Sequence, residues 1–145
     1  MSNIVICEDD NIQRSTIEKF IKNSIAKNDY SFRIKLSTAN PEDVLKNIGS
    51  GDIYFLDVDL NNKINGFKLA EKIRDIDSLG YIIFITTHSE LTYLTFKYRV
   101  EAMDFILKDN VNEIDFRINE CLSHIHKHIN KEKSDVKTLT LTLDD

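Results

Sequence analysis

Short uninterrupted apolar runs alternate along this chain with stretches in which apolar residues recur at helical spacing. Asn3-Ile4-Val5-Ile6-Cys7 predicts a short strand that ends in Glu8-Asp9-Asp10. Ile17, Phe20, Ile21 and Ile25 then predict a first helix from about Asn11 to Lys27. Phe32 to Leu36 alternates with period two, the pattern of a strand with one wetter face, suited to a sheet edge. Asn40-Pro41-Glu42-Asp43 combines a cap residue, a proline at the first helical position and acids in the first turn, and it starts a short helix that stops at Gly49. After the Gly49-Ser50-Gly51 turn, Tyr54-Phe55-Leu56-Asp57-Val58-Asp59-Leu60 reads as a strand buried on both faces.

The second half repeats the rhythm. Phe67, Leu69, Ala70 and Ile73 form the stripe of a third helix, a few residues beyond the acidic strand end and next to Gly66. Tyr81 to Ile85 is a second fully buried strand, and it ends in Thr86-Thr87-His88-Ser89. Glu90 to Tyr98 predicts a fourth helix and Met103 to Leu107 a last strand ending at Lys108. Val111, Ile114, Ile118, Cys121, Leu122 and Ile125 give an amphipathic final helix. Strands alternating with helices in this way predict an α/β fold: a five-stranded parallel sheet, doubly wound, with helices on both faces.

The tail has a different texture. Lys127 to Asp135 is polar and charged, a linker or helix extension, whereas Val136 to Leu143 alternates strictly and predicts a half-buried strand. The expected division is therefore a main domain over 1–126, a connection over 127–135, and the start of a further domain over 136–145.

Composition narrows the function classes. The 145 residues are 41% hydrophobic and 30% charged, with one proline and no tryptophan, as in ordinary globular domains. No apolar run reaches membrane-spanning length and no basic, apolar leader opens the chain, so no membrane association is expected and the expected location is the cytoplasm. Cys7 and Cys121 lie far apart without metal-ligand spacing, which suits a reducing compartment. A net charge of −5 argues against non-specific nucleic-acid binding by this segment.

The chemistry collects at strand ends. In a parallel sheet all carboxyl ends lie on one rim, where ligands bind. The first strand brings Glu8 and Asp9 to that rim, the third Asp57, the fourth Thr86 and the fifth Lys108. Asp57 alone suits a turn-capping aspartate equally well, and Glu8 and Asp9 alone suit a helix start. Together the carboxylates repel one another, and a divalent cation such as Mg²⁺ (or Mn²⁺) relieves the repulsion. A hydroxyl and an ammonium nearby could receive phosphoryl oxygens while one carboxylate forms an acyl phosphate.

On these residues the chain resembles the receiver domain of two-component response regulators, from about Ile4 to Ile125, and with it the flavodoxin-like (CheY-like) fold. The resemblance implies that Asp57 is the phosphoacceptor, and that Glu8, Asp9 and Asp57 hold Mg²⁺ together with the backbone carbonyl of Asp59. It further implies that Thr86 and Lys108 contact the phosphoryl group, that Thr87 controls access to it, and that Phe105 is the aromatic switch residue. Glu8 stands where Asp is commoner, Asn61 where many relatives have proline, and Asp109 where proline usually follows the lysine in a cis peptide. Cys7-Glu8-Asp9-Asp10, Tyr54-Phe55-Leu56-Asp57, Thr87-His88-Ser89-Glu90-Leu91-Thr92-Tyr93-Leu94-Thr95-Phe96 and Ala102-Met103-Asp104-Phe105-Ile106 are similar to the Agr-type regulators of Gram-positive peptide quorum sensing. That similarity implies a sensor histidine kinase as partner, homodimerisation on phosphorylation, and DNA binding through a carboxyl-terminal LytTR-type domain that would begin with the Val136–Leu143 strand. It implies a regulator and not an enzyme in the turnover sense.

Rival readings stay open on the residues alone. Asp57-Val58-Asp59 resembles the nucleophile and acid of haloacid-dehalogenase-type phosphohydrolases, and a pseudo-receiver would dock without accepting phosphate. Phe105 suits a plain core position, and Tyr93, Phe96 and Tyr98 suit either an exposed dimer face or the buried stripe of their helix. His124, His126 and His128 suit a solvated helix end better than a metal site, and Cys7 suits the core.

Overall fold

Each apolar run becomes a strand of one parallel sheet. The computed structural model describes residues 1–60, 64–88 and 91–143, and their side chains except at 95, 96 and 137–143. The strands are β1 (Ser2–Cys7), β2 (Phe32–Thr38), β3 (Ile53–Leu56), β4 (Tyr81–Thr86) and β5 (Asp104–Leu107). They lie in the order β2-β1-β3-β4-β5, every neighbouring pair parallel. The alternating β2 takes an edge, as its wetter face predicts. The chain steps outward from β1 to β2 and then returns across β1 to β3, so the winding reverses between β1 and β3. A crevice opens at the carboxyl end of such a reversal, and Glu8, Asp9 and Asp57 follow those two strands.

Period-two alternation divides each buried run between two apolar layers. Ile4, Ile6, Ile53, Phe55, Ile83, Ile85 and Ile106 face α1 (Asn11–Asn28) and α5 (Val111–Leu143), which contribute Ile17, Ile21, Ile118, Leu122 and Ile125. Val5, Cys7, Tyr54, Leu56, Ile82 and Phe84 face the other way, toward Val44 of α2 (Pro41–Leu45) and Phe67, Leu69, Ala70 and Ile73 of α3 (Gly66–Ile76). Caps fix where the helices start: Asp10 accepts from the Gln13 N–H, Asn40 from Glu42 and Asn65 from Lys68.

Two segments depart from the pattern. The helix expected over Glu90–Tyr98 is a single turn, α4 (Leu94–Lys97), with Glu90 outside the described residues. Thr92, Tyr93, Thr95, Phe96 and Tyr98 are all modest helix formers, and packing decides instead. Leu91, Leu94 and Tyr98 settle against the α3-side layer. The strand expected over Val136–Leu143 is helical, the last turns of α5. A strand needs a neighbour's backbone to pair its N–H and C=O groups, whereas a helix pairs them within itself. Among the described residues no strand lies beside this segment. β5 starts at Asp104, one residue later than expected.

Candidate functional site

The sheet's hydrogen bonding runs one residue past the strand ends and thereby sets the acidic cluster. The Asp57 N–H donates to the Cys7 carbonyl at 3.0 Å, and the Glu8 N–H to the Thr38 carbonyl at 3.0 Å. Glu8 and Asp57 are buried, Asp9 half-buried. One carboxylate oxygen from each of the three lies within 4.8 Å of the others, the metal-capable group among the described residues. Three carboxylates this close cannot all ionise cheaply without a cation.

Lys108 supplies one positive charge. Its Nζ bonds Glu8 Oε1 and lies 3.2 Å from Asp57 Oδ2, with 7% of its side chain exposed. Its backbone N–H donates to the Thr86 carbonyl at 2.9 Å, so the ends of β4 and β5 are joined beneath the cluster. A single ammonium does not neutralise the whole set. Burial, with the charge of Asp57 added, pushes the Glu8 carboxyl up to about 7 although the Lys108 hydrogen bond pulls the other way. Glu8 is also held from behind: its Oε2 accepts from the Asp10 N–H and its carbonyl accepts from Arg14 Nη1 at 2.7 Å.

The rim above Asp57 is polar. Glu8, Asp9, Asp57, Thr87, His88 and Lys108 line one cleft with Asp59. The Asp59 N–H points to Asp57 Oδ1 at 3.4 Å, while its exposed carboxylate lies 3.8 Å from His88 Nε2. Thr86 is fully buried, and its hydroxyl accepts from the His88 N–H at 3.3 Å. Thr87 is exposed at the cleft wall. The structure therefore brings Glu8, Asp9, Asp57, Thr87 and Lys108 together, and ties Thr86 into the loop that follows β4. No peptide bond among the described residues is cis, so the Lys108–Asp109 bond is trans. Asn61 lies outside the described residues.

The outlying candidates sort by packing. Phe105 is half-buried, its ring 5.8 Å from Phe84 and 6.4 Å from Phe67. Tyr98 stacks on Phe67 at 5.8 Å and belongs to this aromatic group, whereas Tyr93 is 63% exposed. Of the three aromatics that suit either a dimer face or a buried stripe, Tyr93 is thus open to solvent and Tyr98 packed, and the Phe96 side chain lies outside the described residues. His126 packs on Tyr30 at 4.8 Å and His128 Nδ1 meets Tyr81 Oη at 2.5 Å. Cys7 and Cys121 are buried with free thiols, both pushed up to about 12 chiefly by that burial.

Three residues gain parts that their sequence neighbourhoods did not assign. His88 and Arg14 contact the site through the loop after β4 and the first turn of α1. Gly66 donates to the Val58 carbonyl at 2.7 Å, and a Cβ there would stand 2.1 Å from the Asp57 carbonyl oxygen. Its signal in the sequence was a glycine opening a helix a few residues past the strand that ends at Asp57.

This arrangement has counterparts. Residues 4–119 match the protein-family model of the response regulator receiver domain. Over 143 residues the chain is 46% identical to accessory gene regulator protein A of Staphylococcus aureus (strain N315), covering 97% of this chain and 60% of that protein. It is 44% identical over 143 residues to accessory gene regulator protein A of Staphylococcus epidermidis, covering 95% of this chain and 60% of that protein. The chain thus spans about 60% of the length of these curated relatives. The response regulatory domain of protein mrkE from Klebsiella pneumoniae superposes with a TM-score of 0.70 at 25% identity, covering 86% of this chain and 98% of that one.

Proposed function

The chain belongs to the response regulator receiver domain family, and we propose that Asp57 is its phosphoacceptor, loaded by a sensor histidine kinase in a divalent-cation-dependent transfer. The observation that carries this reading is the meeting of Glu8, Asp9 and Asp57 within 4.8 Å with the Lys108 ammonium against two of them. An Asp57 carboxylate oxygen forms the new bond to phosphorus as the donor's bond breaks, and the donor leaves with that bond's electron pair. The oxygen donor set of Glu8, Asp9, Asp57 and the Asp59 carbonyl fits Mg²⁺ or Mn²⁺. When bound, the ion supplies charge neutralisation to carboxylates and phosphoryl oxygens alike. Lys108 then exchanges its carboxylate partners for a phosphoryl oxygen, and the Thr86 hydroxyl turns from the His88 N–H toward another. Both movements pull on the loops after β4 and β5, with Thr87 at the entrance and Phe105 beside them, and shift a pre-existing equilibrium.

The likeness to the staphylococcal regulators supports a transcriptional role of Agr type in peptide quorum sensing. In this reading phosphorylation promotes homodimerisation, and DNA is bound by a LytTR-type domain beyond this segment. The domain works in the cytoplasm as a switch, without multiple turnover. A phosphohydrolase would need the Asp59 carboxylate over Asp57. Here it lies toward His88, and Asp59 offers Asp57 its backbone N–H instead.

The direct test is intact-protein mass after incubation with acetyl phosphate, with and without Mg²⁺. One phosphoryl group gained only with the metal is expected. No adduct, together with no binding of beryllofluoride, would favour a docking-only pseudo-receiver. Glu8→Asn combined with Asp9→Ala is expected to abolish Mg²⁺ binding by titration calorimetry, and undiminished affinity would place the site elsewhere. Lys108→Ala is expected to keep Mg²⁺ binding but lose any phosphorylation-dependent change in sedimentation, because the ammonium carries the coupling. An unaltered response in that variant would refute this role.

A further inference from the structure

Arg74, in the last turn of α3, spends its guanidinium on backbone carbonyls from two different loops. Its Nη1 donates to Ser78 at 3.0 Å and Gly80 at 2.7 Å, in the loop leading to β4. Its Nε donates to Val100 at 3.0 Å and its Nη2 to Glu101 at 3.3 Å, in the loop between α4 and β5. The planar fork lets one side chain bridge both loops, which a lysine's point charge does not do.

The α4–β5 loop is built under strain. Arg99 (φ 53°) and Glu101 (φ 52°) both adopt the left-handed conformation without being glycine. Between them Val100 is fully buried. Such backbone persists where its surroundings over-determine it, and here the buried valine and the Arg74 fork do so together. The loop also joins parts of the proposed switch. Tyr98, just before it, stacks on Phe67, and Phe105 and Lys108 follow along β5.

We propose that Arg74 is a positioning residue for the switch: it latches the α4–β5 loop in the conformation it has while Lys108 pairs with Glu8 and Asp57. The strength of the latch then sets how readily α4 and β5 rearrange when Asp57 is modified. The coupling to Asp57 rests on the phosphoacceptor reading above, but the latch itself does not.

Amide hydrogen exchange read by mass spectrometry, alongside the initial rate of phosphorylation by acetyl phosphate with Mg²⁺, tests this. In Arg74→Ala, exchange over residues 98–103 is expected to rise by about fivefold or more, the lower end of ordinary coupling between sites. Peptides from β1 and β3 should keep wild-type exchange, and the phosphorylation rate should rise with the freed loop. Glu101→Gly relieves the left-handed strain, since glycine adopts positive φ at no steric cost, and should shift both readouts the opposite way. A merely structural arginine would raise exchange throughout the chain or lower the phosphorylation rate, and either result overturns the proposal, as does unchanged exchange at 98–103. Should Arg74→Ala fail to fold, Glu101→Gly decides by the sign of its effect. Should the wild type take no phosphoryl group, the phosphoacceptor reading fails, and loop exchange alone decides the latch.

Discussion

Asp57→Asn is expected to remove the phosphoryl adduct completely while leaving the fold intact. The amide has nearly the shape of the carboxylate, so the buried position at the end of β3 stays filled and the backbone bond to Cys7 is untouched. What is lost is the anionic oxygen that, in the proposed reading, forms the acyl phosphate. The substitution also takes one negative charge from a cluster of three carboxylates in which the Lys108 ammonium meets Glu8 and Asp57. The metal-free variant should therefore melt at or above the wild-type temperature, since like charges in a dry site oppose folding. Intact mass after acetyl phosphate and thermal melting check the two halves together. An adduct of wild-type yield in the variant would move the acceptor to another residue.

Gly66→Ala is expected to cause the largest loss of stability among these changes. A Cβ at Gly66 would stand 2.1 Å from the Asp57 carbonyl oxygen, 2.7 Å from Val58 Cα and 2.9 Å from the Asp57 carbonyl carbon. These are backbone atoms, so no side-chain rotation relieves the collision. The start of α3 or the exit of β3 must move, at a cost of ~3 kcal/mol, the upper end for overpacking. For a chain of this size that corresponds to a melting temperature lower by about 10 °C. Displacing the Asp57 backbone also disturbs the oxygen geometry at the site, so phosphorylation by acetyl phosphate should slow as well. A wild-type melting temperature would show that the helix start yields to the methyl group without strain.

Much of this was legible in the residues. Continuous apolar runs and helical stripes are local patterns, so strand identity, parallel winding and the edge position of β2 could be read directly. The acids and the lysine were legible because each directly follows such a run. The failures have a common origin. α4 shrinks to one turn because packing of Leu91, Leu94 and Tyr98 outweighs a weak local preference. The Val136–Leu143 alternation is a strand only where another strand pairs with it, and here α5 absorbs it as helix.

The sequence by itself determined the α/β class and which residues stand at strand ends, because burial of an apolar run and the step from strand to loop depend on near neighbours. Only the tertiary structure decided what meets across the rim. The Lys108 bond to Glu8 joins residues 100 positions apart, and it exists because the strand order sets β1 and β3 side by side with β5 beyond. The clearance at Gly66, the turning of Thr86 toward His88 and the hold of Arg74 on two loops follow likewise from the packing of α3 and α4 against the sheet. Contacts of this kind depend on distances between elements, which no local pattern of apolar and polar residues encodes.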